Sequence, residues 1–265
     1  MKLNIWRFTD GKSGHDSQSN GLCTAINELL PIKKFDLSAD SLTNCLKNLL
    51  FNKFPMGKNL PDPDIIIGAG HGTHLTMLTA QYIRKGKTIV LMKPSLPSYW
   101  FDICIIPQHD SPPKNKNIIE TNGALNSIKF NDNKVKKQGL ILVGGTSVHY
   151  KWDSEYVSSQ INEIVSTNRD INWTIADSPR TPKNLMPMIT IPNKQNTNKL
   201  NFNDPSKKDI KGLIYASEII WVSPDSVSMI FEALTSGASV GLLDIKENKK
   251  SRVHKTVKHL ILNDH

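Results

Sequence analysis

Three times in this sequence an apolar run ends in a glycine-bearing turn and then becomes a helix-like pattern. The first is Asn4-Ile5-Trp6-Arg7-Phe8 running into Thr9-Asp10-Gly11-Lys12-Ser13-Gly14-His15. The second is Ile65-Ile66-Ile67 running into Gly68-Ala69-Gly70-His71-Gly72, and the third is Leu140-Ile141-Leu142-Val143 running into Gly144-Gly145-Thr146-Ser147. Strand, turn and helix in this order build parallel sheets with right-handed crossovers. A glycine backbone at the junction lets a phosphate approach exposed N–H groups and the positive end of a helix dipole. The third junction lies far along the chain from the other two, which predicts two nucleotide-type sheets.

The rest of the pattern agrees. Apolar runs predict strands over 3–8, 33–37, 64–67, 87–92, 102–106 and 117–120, and 3.6-residue periodicity predicts helices over 18–30, 42–50 and 73–84. Residues 126–138 are polar and lysine-rich and read as a linker. A second series then predicts strands over 139–143, 171–176, 218–222 and 239–243 with helices over 155–168, 209–217 and 228–236. Residues 192–208 read as polar and irregular, and 250–262 as a basic amphipathic helix. The expected fold class is α/β: two Rossmann-like domains facing a cleft, spanning 1–133 and 134–265, with the tail helix packing back on the first. At 265 residues the chain can build two modest cores. In such sheets ligands sit beyond the carboxyl ends of the strands, where all three glycine turns lie.

Composition narrows the function classes. No stretch approaches the roughly 20 apolar residues of a membrane span, and the first residues lack the apolar centre of a secretion signal. Cys23, Cys45 and Cys104 are scattered, which argues for a reducing, cytoplasmic setting and against a disulfide framework or zinc finger. The net charge of +9 suits a polyphosphate substrate or an anionic membrane surface, including peripheral attachment to the cytoplasmic membrane. No interleaved aromatic and basic face is present, so no specific nucleic-acid partner is expected.

The segment Ser223-Pro224-Asp225-Ser226-Val227-Ser228-Met229-Ile230-Phe231-Glu232 is the sharpest chemical signal. It leaves an apolar strand and opens a helix that Asp225 and Ser226 can cap. Ser226 and Ser228 can donate to phosphate oxygens near the dipole end. Glu232 lies one turn beyond Ser228 on the same face, placed to accept from a ribose diol. Gly144, Gly145 and Thr146 offer backbone N–H groups and a hydroxyl of the kind a pyrophosphate needs. His71 and His74, with His109-Asp110, have spacing compatible with a metal site. However, Gly70, His71 and Gly72 read better as a phosphate or acceptor loop, and no metal is expected. Trp100, Phe101 and the loop from Pro94 to Pro97 suit an acceptor wall or simply a core.

The strand, Asp-Ser-Val-Ser turn, helix with Glu232, Gly237 and following strand resemble the donor-nucleotide segment of GT-B glycosyltransferases. More specifically, the chain resembles the mitochondrial-fission family named for its elongated-mitochondria phenotype, which has many bacterial members. The resemblance rests on Thr9 to His15 with Gln18, Phe101-Asp102 with Pro107-Gln108-His109-Asp110, Gly123-Ala124-Leu125, Gly144-Gly145 with His149-Tyr150, Ser178-Pro179-Arg180-Thr181-Pro182, and Asp225 to Met229. These lie in order over nearly the whole chain. The sequence departs from the pattern after Pro182, where it is short and rich in lysine and asparagine.

The resemblance implies a GT-B-like fold with the second domain on the nucleotide-sugar side and the first on the acceptor side. Gly11, Ser13 and Gly14 would form the first-domain loop facing the donor. His15 or Asp10 would be the base that deprotonates an acceptor hydroxyl, and Arg180 would neutralise the diphosphate leaving group. The expected activity is metal-independent, inverting transfer from a nucleoside-diphosphate sugar, used as co-substrate with no cofactor, to an acceptor such as a membrane-associated glycolipid. Two alternatives remain open: a non-catalytic membrane adaptor that keeps the fold, and a nucleotide-sugar epimerase.

Overall fold

The computed structural model describes residues 2–190, 197–204, 209–248, 257, 258 and 260. The chain divides into two compact units, Met1–Ser127 and Ile128–His265.

The first unit contains β1 (Leu3–Thr9), α1 (Ser13–Leu29), β2 (Ile32–Ser38), α2 (Leu42–Leu50), β3 (Ile65–Ala69), α3 (His74–Arg84), β4 (Lys87–Leu91), β5 (Ile103–Pro107) and β6 (Ile118–Thr121). All six strands are parallel, in the order β2-β1-β3-β4-β5-β6. Because side chains alternate along a strand, neighbouring residues feed opposite faces. Ile5, Ile65, Ile67 and Ile89 pack with Leu22, Cys23 and Ile26 of α1. Trp6, Phe8, Ile66, Val90, Cys104 and Ile106 pack instead with Phe54, Phe101 and Met77 and Ala80 of α3. A sheet buried on both faces needs nearly continuous apolar strands, which is the pattern these runs show. The one charge inside β1, Arg7, sits opposite Asp36 on β2, with Nε 2.6 Å from the carboxylate. Burial alone would raise the Asp36 carboxyl, but hydrogen bonding and charge from Arg7 and Lys34 outweigh it and hold it below its usual range.

The second unit contains β7 (Val135–Leu142), α4 (Ser154–Thr167), β8 (Asn172–Ala176), α5 (Leu185–Met188), β9 (Thr197–Leu200), α6 (Ile210–Ala216), β10 (Ser217–Val222), α7 (Val227–Thr235) and β11 (Ser239–Leu242). These strands are also parallel, in the order β11-β10-β7-β8-β9. Ile141, Trp173 and Ile175 form a core with Val157, Ile161 and Val165 of α4. Leu140, Ile220 and Val222 are equally buried, as are Ile214 of α6 and Ile230 of α7.

Several expectations shift. The expected linker, 126–138, contains the boundary between the units at 127/128, but its lysine-rich end, from Val135, is already the start of β7. Its register against β10 slips between Ser217 and Ile219, and Lys137, at φ 61°, donates its N–H to Glu218 Oε2 at 2.8 Å. The lysine side chains at 136 and 137 stay in solvent, which is why the stretch reads as linker. The unit boundary falls ahead of the expected 133/134 division because the residues before β7 already belong to the second unit. The Asn131 side chain donates to Tyr215 O at 2.9 Å, and the Phe130 ring fills the space beside Gly237. Within the stretch expected to be irregular, Thr197–Leu200 forms edge strand β9, with Lys199 Nζ donating to Met186 O and Ile189 O. α1 begins at Ser13, so Ser13, Gly14 and His15 are in its first turn and not in a loop. The expected tail helix lies outside the described residues apart from 257, 258 and 260, and so does its expected packing.

Asp102 ties β4 to the residue preceding β5. Its carboxylate accepts from Thr88 N at 2.9 Å, Thr88 Oγ1 at 3.0 Å, Gln81 Nε2 at 2.7 Å and Lys87 Nζ at 2.8 Å. Removing it strands those donors at the amino ends of two interior strands. Asp102→Ala should lower urea-unfolding stability by about 2 kcal/mol at neutral pH; a change under about 0.5 kcal/mol would show that water replaces the carboxylate freely.

Candidate functional site

In both sheets the strand order reverses once. β1 is flanked by β2 on one side and β3 on the other, and β7 by β8 and β10. At such a reversal the loops leaving the carboxyl ends of the two strands part, and ligands bind there. In the first unit those loops carry Asp10 to Lys12 and Gly70 to Gly72. In the second they carry Gly144 to Thr146 and Ser223 to Ser226.

The first unit brings its expected residues together. Asp10 follows β1, and its carboxylate oxygens lie 2.9 and 3.0 Å from Nδ1 of His15 in the first turn of α1. Lys12 Nζ is 3.8 Å from the same carboxylate, which is largely buried. The loop after β3 closes over this pair. Gly70 has φ 78°, and a Cβ there would stand 2.2 Å from the His15 ring, so only glycine fits. A Cβ on Gly72 would meet Asp10 Cβ at 3.1 Å. A carboxylate on Nδ1 fixes the ring and leaves Nε2 as the nitrogen for proton transfer. Gly11, at φ 76°, turns the chain out of β1; it is exposed, as is Ser13, the first residue of a helix whose N-cap, Lys12, supplies no side-chain cap. His71 is exposed at the start of the 3-10 turn preceding α3.

The other histidines behave differently. His74 is buried, with Nδ1 3.3 Å from Ser95 Oγ and its ring edge-on to Phe101 at 5.4 Å. Burial, reinforced by His71 and His15 nearby, pushes it down to about 4. His109 Nε2 lies 3.7 Å from Asp110. Among the described residues no group of three or more His, Cys, Asp or Glu is placed to hold a metal ion. Phe101 is a core residue, whereas Trp100 is about half exposed.

The second unit departs from expectation in two respects. The N–H groups of the glycine turn are already engaged: Gly144 N donates to Ser223 Oγ at 2.7 Å, Gly145 N to Asp225 Oδ2 at 3.1 Å, and Thr146 N to Arg180 O at 3.2 Å. Ser178 Oγ and Thr181 Oγ1 both donate to Gly144 O. The turn is therefore a closed joint. Glycine at 145 is required because a Cβ would stand 1.9 Å from Arg180 O. Asp225 does not cap α7. Its side chain is fully buried, accepts from Gly145 N and pairs with Arg180 Nη1 at 2.6 Å. Its Oδ1 and the Tyr150 hydroxyl are buried without a partner among the described residues, and burial, with Glu247 and Asp225 near, raises that phenol to about 12. Arg180 keeps two-fifths of its side chain exposed.

What remains open to a ligand is the start of α7. Ser226 occupies the N-cap, but its side chain caps nothing. Ser228 is half-buried in the first turn, and half-buried Glu232 lies one turn further. Sequence reasoning gave no role to Ser178, Thr181 and Ser223. Ser178 and Thr181 stood in the sequence only as part of the family resemblance and Ser223 only as the start of the segment leading to Asp225; nothing there named the carbonyl and N–H that they bind.

Comparison with known proteins agrees with this architecture. The family model for mitochondrial fission ELM1 matches residues 13–264. The chain belongs to that family. The uncharacterized protein RP120 of Rickettsia prowazekii (strain Madrid E) is 29% identical over 301 residues, covering 89% of this chain and 81% of its own. Two similar solved structures are the S. aureus MnaA–UDP co-structure, with 13% identity and TM-score 0.58 over 98% of this chain and 88% of that one, and UDP-GlcNAc 2-epimerase from Neisseria meningitidis bound to UDP-GlcNAc, with 13% identity and TM-score 0.52 over 97% and 85%. At that identity the likeness is one of fold: this ELM1-family chain has a GT-B-like α/β fold with two parallel sheets. No helix among its described residues is long and apolar enough to cross a membrane.

His74 gives the site a pH signature. The folded protein keeps it neutral down to about pH 4, whereas in the unfolded chain it takes up a proton near its ordinary 6.5. The resulting stability is present above pH 6.5 and drains as pH falls toward 4, by roughly 2–3 kcal/mol. Urea unfolding of wild type and His74→Gln at pH 7 and 4.5 should show a steeper loss in the wild type. Parallel losses would mean that His74 is not held neutral.

Proposed function

We propose that this ELM1-family protein is a metal-independent glycosyltransferase that takes a nucleoside-diphosphate sugar in its second unit and uses His15 as base. The observation that carries the reading is the Asp10–His15 pair at the reversal of the first sheet. A carboxylate-oriented imidazole is the equipment for removing a proton from a hydroxyl near neutral pH. In the step, His15 Nε2 takes the acceptor proton and the acceptor oxygen forms a bond to the anomeric carbon. The bond from that carbon to the diphosphate breaks, and a nucleoside diphosphate leaves with the electron pair. Attack from the side opposite the leaving group inverts the anomeric centre. Asp10 holds the ring and stabilises the imidazolium.

The start of α7 supports a diphosphate site through its dipole and its uncapped N–H groups. Ser226 and Ser228 would donate to phosphate oxygens, Arg180 would neutralise the leaving group from its place on Asp225, and Glu232 would accept from the ribose. Gly144, Gly145 and Thr146 would shape this site without donating their N–H groups. Gly70, His71 and Gly72 would border the acceptor, for which a glycolipid is one candidate. The epimerase reading is favoured by the names of the similar structures. It asks for more carboxylates than the one the His15 pair supplies, and it needs no acceptor.

Thermal unfolding with a panel of nucleoside diphosphates in EDTA tests the donor site. A ligand at about 100 times its dissociation constant should add ~2.7 kcal/mol. Ser226→Ala/Ser228→Ala should lose that gain, whereas His15→Ala should keep it and lose transfer by roughly a hundredfold or more. Silence across the panel would favour the adaptor. Turnover of the sugar without acceptor would favour the epimerase, and a retained anomeric configuration would overturn the direct displacement.

A further inference from the structure

Helix α2 is anchored on one side and bare on the next. Cys45 is buried with Sγ 3.7 Å from Thr76 Oγ1 of α3, and Asp40 N donates to the same hydroxyl at 2.8 Å. The adjoining face exposes Leu42 at 58%, Leu46 at 57%, Leu49 at 39% and Leu50 at 79%, with Phe51 just beyond the helix at 66%. At about 100° per residue the four leucines fall within one arc of about 100°, a continuous apolar stripe. Contiguous exposure of this kind marks a contact surface.

Charge indicates the partner. From Ser41 to Pro61 the chain carries Lys47, Lys53 and Lys58, all exposed, and neither Asp nor Glu. Lys58 also borders a cavity of about 460 Å³ together with Lys34 and Asp36, over Phe35, Leu37 and Met56. Asp36 is shared between Arg7 and Lys34, so with Lys58 the rim is left net positive. An apolar stripe edged by unopposed lysines matches the boundary between acyl chains and anionic headgroups. It suits a second copy of itself poorly, because the lysines would meet.

We infer that α2 and the turn through Lys58 form a docking surface for anionic phospholipid membranes. The leucines enter the acyl boundary and the lysines meet headgroup phosphates. The inference stands apart from the nucleotide-sugar chemistry, and either can fail without the other.

Co-sedimentation of the full chain with phosphatidylcholine vesicles, with and without about one-third phosphatidylglycerol, tests it. The wild type should bind the mixed vesicles, more weakly as salt rises, and bind phosphatidylcholine alone poorly. Leu46→Ser/Leu50→Ser and Lys47→Glu/Lys53→Glu should each weaken binding roughly tenfold or more. Their melting curves should match the wild type, since all four side chains are exposed. Absence of wild-type binding would overturn the inference. So would variants that bind as wild type, which would assign the binding to another basic region. A leucine variant that converts a dimer to monomer in ultracentrifugation while vesicle binding persists would assign the stripe to a second copy.

Discussion

A parallel sheet that grows from a central strand in both directions must open at one place. Right-handed crossovers put the helices on opposite faces where the order reverses, and the loops leaving the two central strands then separate. Each unit of this chain has one reversal, between β1 and β3 and between β7 and β10. Nearly every residue with chemical promise lies on the loops that part there. The adjacency of β10, β7 and β8 is the reason that Asp225 meets Gly145 and Arg180 from far along the chain, whereas Asp10 meets His15 locally, across the turn from β1 into α1.

The units use the opening differently. In the first, the two loops cooperate to hold a titratable pair near the surface. In the second they knit shut. A fully buried carboxylate is costly, and Asp225 is tolerated because Arg180 and the Gly145 N–H both address it. The return is rigidity: the loops after β7, β8 and β10 are joined through Asp225, Arg180, Ser178, Thr181 and Ser223. A turn whose N–H groups are satisfied internally cannot also grip a phosphate, which is why the donor site proposed above is drawn at the start of α7, where the N-cap side chain is idle.

Most of the fold was legible because buried parallel strands announce themselves as short apolar runs, and ten of the strands fall on such runs with shifted ends. The exceptions share a cause. The beginning of β7 and the edge strand β9 are polar because one face or edge meets solvent and a bulge or a snorkelling lysine absorbs the irregularity. At the sites, residue identity was legible and allegiance was not. Glycines at 70 and 145 are dictated by what approaches them, His15 and Arg180 O respectively, and no sequence pattern names that partner. Asp225 reads as a helix cap because caps are local, whereas its actual bonds span 80 residues to Gly145.

His15 and His74 show how far environment decides chemistry on one sheet end. Both lie near the carboxyl ends of β1 and β3, and after burial the charges of His71 and His15 add to the downward pull on His74. His15 has a carboxylate on Nδ1 and partial exposure, which suits a group that gains and loses a proton in turnover. His74 has Ser95 and an aromatic edge, and burial holds it neutral. Were His74 charged, the imidazolium proposed for His15 would face a buried cation in a medium that screens poorly. Keeping His74 neutral leaves the Asp10 carboxylate to act on His15 without that opposing charge.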